Sequence, residues 1–250
     1  MKTIGKALDV LESFLGKDDE IGLSEIARRA GMNISTAHRV AVTLLKRGYL
    51  NQRQKRQKYS LSTKLLQFSH VLNQRMKVRD IALPILDGLN KMVGESVNIA
   101  ILNQNQVVYI EHIESNQSLR TFTQVGNRVP LHCTGVGKVF LAHLNGEELE
   151  KALNGKGLAS YTQNTVTDVK KLKRELTIVQ REGVGTDDEE MEIGVRCIAS
   201  PIKNSNGSVI AAISVSGPSA RLSSKRIQEI KPLVRSSALE ISRALGYQGE

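Results

Sequence analysis

The feature that most restricts how this chain can fold is a change in the period of its hydrophobic pattern near Gly94. Ahead of that glycine, apolar residues recur every three or four positions, the spacing of a helix stripe. Beyond it Val97, Ile99 and Ile101 alternate with other residues, and after a turn at Asn103 to Asn105 the run Val107 to Ile113 follows. Successive side chains of a strand point to opposite faces, so a period of two marks a sheet. A helical first third and a sheet-bearing remainder imply two folding units, for which 250 residues suffice.

In the first third, Ile4, Ala7, Leu8, Leu11 and Leu15 form a helical run that breaks at Gly16. A short helix from about Ser24 to Ala30 turns Ile26 and Ala27 inward and stops at Gly31, where a turn needs a left-handed residue. A third begins near Asn33, with Ile34, Ala37, Val40 or Ala41, Leu44 and Leu45 as its buried stripe. Ser35, Thr36, His38, Arg39, Thr43 and Lys46 fall on its other side. Two short helices meeting at a glycine match the helix-turn-helix, whose second helix enters the DNA major groove. Tyr49 to Arg53 and Lys58 to Leu61 then read as a hairpin, a wing bearing Arg53, Lys55, Arg56 and Lys58. Such a tip can lie along phosphates or dip into the minor groove.

Charge follows the same division. Residues 1–80 hold 16 Lys/Arg against 7 Asp/Glu, a balance of +9, and residues 81–250 hold 19 against 18, a balance of +1. Lysine and arginine contacts to phosphate supply most sequence-independent affinity for nucleic acid, so the first third is the polyanion-binding part. After the wing, Ser62 or Thr63 caps a helix with Leu65, Phe68, Leu72 and Met76 on one stripe, long enough to link two domains and to pack against a symmetry mate. The expected units are a winged helix-turn-helix over 1–62, a linker helix over 63–77 and a larger domain over 78–250.

That larger domain is expected to hold further strands at Leu119 to Val125, Val184 to Asp187, Ile198 to Ile202 and Val209 to Ser216. Helices are expected at about Thr134 to Leu144, Glu147 to Leu153, Asp168 to Glu182 and Ser223 to Leu245. Directly joined hairpins mixed with helices indicate an α+β fold, an antiparallel sheet flanked by helices. The longest apolar stretches, such as Val209 to Val215, fall short of the ~18 residues of a membrane span. Acidic residues at Asp9, Glu12, Asp18, Asp19 and Glu20 leave no room for a signal-peptide apolar region, so a cytoplasmic protein without membrane contact is expected. Cys133 and Cys197 form no C-x-x-C pair, and neither has motif spacing with His112, His132 or His143. The run Asp187 to Glu190 lacks the alternating ligands of a calcium loop. No enzyme, metal or cofactor is expected.

Three blocks carry a resemblance: Gly126-Asn127-Arg128-Val129-Pro130-Leu131-His132-Cys133-Thr134-Gly135-Val136-Gly137-Lys138, then Asp187-Asp188-Glu189-Glu190 running into Gly194-Val195-Arg196-Cys197-Ile198-Ala199, then Ser214-Val215-Ser216-Gly217-Pro218. With Leu23 to Ala27, Ser35 to Arg39 and Gly48-Tyr49, the whole chain resembles the IclR-type bacterial transcriptional regulators. The resemblance implies a GAF-like effector domain behind the winged helix, binding a small carboxylate, in a homodimer or dimer of dimers on a palindromic double-stranded operator. It implies a repressor of a catabolic operon. It also implies effector contacts from the Gly135 and Val136 amides, the Asp187 carboxylate, the Cys197 thiol and the Ser214 and Ser216 hydroxyls. An architectural DNA-binding protein without ligand would explain the basic third but leave the remaining 170 residues without a role.

The residues add chemistry to this. Arg39 can grip guanine O6 and N7, while Ser35 and Thr36 suit phosphates, and His38 is either a contact or a surface histidine. Thr134 to Lys138 has a cap residue and a helix start, whose free N–H groups attract an anion. It is not a phosphate-binding P-loop, because position 132 is His and position 139 is Val. Ser214 and Ser216 share one face of a strand and need a polar ligand, water or backbone partner if buried. Asp187 repels a carboxylate unless the ligand offers it a donor or it holds a proton, which points to a small hydroxy or keto acid.

Overall fold

A computed structural model describes residues 2–15, 18–53, 58–68, 77–153 and 157–249. The chain divides into two compact units, Met1–Met76 and Lys77–Glu250. The first comprises α1 (Lys2–Glu12), β1 (Ile21–Gly22), α2 (Leu23–Arg29), α3 (Ile34–Lys46), β2 (Leu50–Arg53) and β3 (Lys58–Leu61). Its sheet among the described residues has the order β1-β3-β2, all antiparallel. Gly31 adopts φ +62° between α2 and α3, a conformation that costs a residue with a Cβ. The core is made by Val10, Phe14, Ile26, Ala37, Val40, Ala41, Leu44, Leu50 and Tyr59. Both Val40 and Ala41 are buried, whereas Ile34, expected inside, is exposed because it opens α3 ahead of the first core-facing turn. Ile4 and Leu8 are likewise exposed, since α1 turns its Val10 side to the core, and so is Leu15 in the turn after it, where Phe14 points inward. Residues 65–68 start a helical turn, in which the Phe68 ring lies 6.2 Å from that of Tyr49. The rest of the expected linker helix, with Leu72 and Met76, lies outside the described residues, as do Lys55 and Arg56 of the wing tip.

The second unit comprises α4 (Lys77–Val93), β4 (Ser96–Asn103), β5 (Gln106–Ile113), β6 (Arg128–Val129), α5 (Gly135–Ala142), α6 (Gly146–Leu153), α7 (Val169–Glu182), β7 (Gly185–Asp188), β8 (Val195–Lys203), β9 (Val209–Pro218) and α8 (Ser224–Ala244). Among the described residues its six strands form one antiparallel sheet in the order β6-β5-β4-β9-β8-β7. One face, with Ala100, Ala199 and Ala212, packs on Val136, Val139 and Phe140 of α5 and on Leu172 and Leu176 of α7. The small residues of that face let the helix approach closely. A Cβ on Gly185 would stand 2.5 Å from the Gly135 carbonyl, and one on Gly137 only 2.2 Å from the Leu131 carbonyl. Glycine is required at these positions by contact with backbone, not for flexibility.

Leu119 to Val125 is not a strand. The edge of β5 that it would pair with is taken by β6 and by the Gly126 N–H, which donates to the Tyr109 carbonyl at 2.8 Å. The segment is tied down elsewhere: Thr121 Oγ1 donates to the Ser216 carbonyl (3.3 Å), and Arg221 donates to the Leu119 carbonyl (2.8 Å) while forming a two-pronged pair with buried Glu95. Among the described residues no helix is long and apolar enough to cross a membrane, and no group of three or more His, Cys, Asp or Glu could hold a metal ion.

Candidate functional site

In the first unit, Asn33 caps α3: its side-chain oxygen accepts the Thr36 N–H at 2.8 Å. The helix start so fixed leaves Ser35, His38 and Arg39 exposed in its first turns and Thr36 half-buried. The arginines of α2 are committed elsewhere. Arg28 bonds Glu25 at 2.8 and 2.6 Å, and Arg29 bonds both Glu25 and Asp18. The pair Arg28 and Arg29 holds the Glu25 carboxyl down at about 2. Among the described residues no carboxylate pairs with Arg39, so α3 rather than α2 offers an uncompensated guanidinium. In the wing, the backbone of Arg53 pairs in register with that of Lys58.

In the second unit, ladder partners share a face, which brings distant residues into two neighbouring rows. Asp187, Cys197 and Ser216 are successive partners across β7, β8 and β9. His112, Asn98, Ser214 and Ala199 are successive partners across β5, β4, β9 and β8. The start of α5 lies over these rows, capped by Thr134, whose hydroxyl accepts the Gly137 N–H (3.1 Å) and donates to the Pro130 carbonyl (2.7 Å). A cavity of about 470 Å³ opens beside them. Thr134, Asp187, Cys197 and Ser216 border it on the polar side, and Tyr109, Leu119, Phe122 and Ile193 contribute apolar surface.

Of the six effector residues expected from sequence, Asp187, Cys197 and Ser216 line this cavity. Gly135, Val136 and Ser214 lie behind it, all buried. The Gly135 N–H and the Ser214 and Ser216 hydroxyls face the Cys197 sulfur, with Ser216 Oγ at 3.6 Å. The two serines do not need a ligand to satisfy them, because the Asn98 amide donates to Ser214 Oγ at 3.3 Å and to Ser216 Oγ at 3.2 Å. Asn98, His112 and the cavity wall from Leu119 were missed in sequence. The available signal was Asn98 itself, a polar residue inside a strand whose neighbours Val97, Ile99 and Ala100 are all fully buried.

Burial dominates the electrostatics. It pushes the Cys197 thiol up to about 12, reinforced by Asp187 and opposed by the three donors. It does the same to Cys133, also to about 12, and it raises the Tyr109 phenol. Asp187 is pushed up to about 7, again by burial, with the Glu190 charge adding and the Glu190 and Met191 N–H groups and Lys138 opposing. The buried polar side at Asp187, Cys197 and Ser216 is therefore uncharged below about pH 7, and the charges that line the cavity are those of exposed Arg120 and Glu192. Lys138 adds no charge to it. Burial works against its protonation, but Glu190 at 2.6 Å and Glu175 at 2.9 Å outweigh that and consume its positive charge.

A family model described as the C-terminal domain of bacterial transcriptional regulator IclR matches residues 70–243, and the IclR helix-turn-helix domain matches residues 3–54. The chain belongs to the IclR family. Its IclR relatives are alike over nearly their whole length. The HTH-type transcriptional regulator KdgR of Escherichia coli is 34% identical over 247 residues, covering 99% of this chain and 94% of the relative. The transcriptional repressor IclR of the same organism is 31% identical, covering 98% and 90%. A crystal structure of an IclR homolog from Microbacterium hydrocarbonoxydans complexed with 4-hydroxybenzoate superposes with a TM-score of 0.86 at 29% identity, covering 97% of this chain and 98% of that one.

Proposed function

We propose that this IclR-family protein is a ligand-responsive repressor of a catabolic operon, a homodimer or dimer of dimers that binds a palindromic operator and senses a small carboxylate. The observation that carries the reading is the cavity beside Ser216, Cys197 and Asp187, whose buried polar side is uncharged below about pH 7, while exposed Arg120 and Glu192 add one charge of each sign to its lining. An oxyanion gains most from such a surface. With Asp187 able to hold a proton, the occupant needs no hydroxyl of its own, so the ligand class widens from hydroxy and keto acids to acids with an apolar body. The apolar side at Leu119, Phe122 and Ile193 supports that widening, and so does the 4-hydroxybenzoate of the Microbacterium homolog.

Ser35, Thr36, His38 and Arg39 are the proposed base-edge and phosphate contacts of α3, and Arg53, Lys55, Arg56 and Lys58 those of the wing. A dimer is supported by exposed Leu66 and Phe68 on the segment that follows the wing, apolar surface suited to a symmetry mate. A ligand shifts operator affinity only by its unequal affinity for the DNA-binding and released states. The experiment is a genomic footprint, followed by titration of the recovered duplex with and without lactate, pyruvate and 4-hydroxybenzoate. At least one acid is expected to change the affinity. Unaltered binding across the panel, with Ser216→Ala behaving as wild type in direct calorimetry, refutes the sensor.

A further inference from the structure

Asn98 is fully buried on β4, and its side-chain amide is engaged at both ends. Nδ2 reaches Ser214 Oγ and Ser216 Oγ, and Oδ1 stands 2.6 Å from His112 Nδ1. A primary amide has a donor end and an acceptor end, so whichever end meets the serines, the opposite one meets the imidazole. Burial lowers the His112 pKa against the opposing charges of Glu114 and Glu111 and with that of Arg120, which leaves a neutral ring with one proton to place. With the proton on Nδ1, the ring donates to the Asn98 carbonyl, and the unpaired buried atom is the Nε2 lone pair. With the proton on Nε2, Asn98 must turn round and a buried N–H is orphaned instead, the rarer defect in folded proteins.

We propose that His112 and Asn98 set the hydrogen-bonding polarity of the effector cavity: His112 Nδ1–H holds the Asn98 carbonyl, Asn98 donates to both serine oxygens, and the hydroxyl proton of cavity-lining Ser216, which faces Cys197 Sγ at 3.6 Å, is left to turn to an oxyanion. This rests on the reading of the cavity as the effector site. Both are positioning residues, since neither is among the residues that line the cavity. Their effect passes through Ser214 and Ser216, whose hydroxyls converge with the Gly135 N–H at the Cys197 sulfur on the cavity's border. A serine oxygen that already accepts from Asn98 has its proton to offer, which suits a carboxylate at Ser216 and not an ammonium group. A reversed Asn98 would make both serines acceptors and invert that preference, so a single ring tautomer decides the charge of the accepted ligand.

NMR of the full chain with 15N-labelled histidine reads the His112 tautomer without any ligand. The Nδ1–H form is expected, and the Nε2–H form overturns the inference whatever the cavity binds. Calorimetry with lactate, pyruvate and 4-hydroxybenzoate then compares wild type with two variants. His112→Phe removes the ring donor and is expected to weaken acid binding about tenfold, the worth of a hydrogen bond to a charged group. His112→Asn, whose Nδ2 can take the place of Nδ1, is expected to recover most of the affinity. Wild-type affinity in His112→Phe overturns the inference. If wild type binds none of the acids while His112 carries its proton on Nδ1, the effector reading fails and the polarity assignment is supported, so the two failures are distinct.

Discussion

Asp187 sits at the polar border of the cavity, is 4% exposed, and accepts the Glu190 N–H at 2.8 Å. Burial, with the Glu190 charge, moves its carboxyl from the ordinary 3.8 to about 7, although the N–H groups of Glu190 and Met191 and the Lys138 charge oppose the change. Between these two values the folded chain holds a proton that the unfolded chain has released. Unfolding sheds that proton, so stability falls as pH rises from about 4 to about 7 and levels off above. At about 1.4 kcal/mol per pH unit, the interval is worth about 4 kcal/mol. Asp187→Asn keeps an oxygen for the Glu190 N–H but cannot ionise. The variant is therefore expected to match wild type near pH 4 and to exceed it progressively, by up to about 4 kcal/mol, near pH 8. Urea denaturation of both proteins across this range measures the difference, from which every shared titration cancels. A difference that stays flat between pH 5 and pH 8 refutes the reasoning. The same proton governs ligand affinity: acids are expected to bind wild type less tightly as pH passes about 7, and the variant with little pH dependence.

Arg39→Ala is expected to relax sequence preference at one base pair, by about 1–3 kcal/mol, whereas Arg56→Ala weakens binding to every duplex and lowers the salt slope by about one. Fluorescence titration across salt separates the two, and equal affinity and slope in both variants contradict the assignment. Lys138→Met leaves Glu190, with a side chain 7% exposed, without its counter-ion and is expected to cost about 3 kcal/mol in urea denaturation. Adding Glu190→Gln should recover part of that loss, and no recovery would sink the pairing. Gly137→Ala drives a Cβ to 2.2 Å from the Leu131 carbonyl and is expected to lower stability by about 1–3 kcal/mol through overpacking. An unchanged melting temperature would show that α5 is not held against that backbone.

Several parts of the molecule were legible because their causes are local. Gly31 marks the turn between α2 and α3 by its left-handed conformation, and the stripe Ala37, Val40, Ala41 and Leu44 defines the inward face of α3. Alternation at Val97, Ile99 and Ile101 identified β4, and apolar runs marked β5, β8 and β9. Leu119 to Val125 misled for the opposite reason. Its composition suits a strand, but pairing depends on a free edge, and β5 has given that edge to β6. Gly135 and Gly137 carry no local sign of their role, which is to let α5 touch backbone from Leu131 and Gly185.

The amino-acid order alone determined that a cationic helix-turn-helix precedes a nearly neutral sheet domain, since charge and hydrophobic period are properties of neighbouring residues. Only the tertiary structure decided which polar groups meet. Asn98 lies 116 residues from Ser214 and 14 from His112, and strand register puts all three in one row, with Asn98 and Ser214 buried and His112 half-buried. Burial then sets the protonation of Asp187 and Cys197, because the loss of water that moves a carboxyl or a thiol is a property of the packed surroundings and leaves no mark on the adjoining sequence.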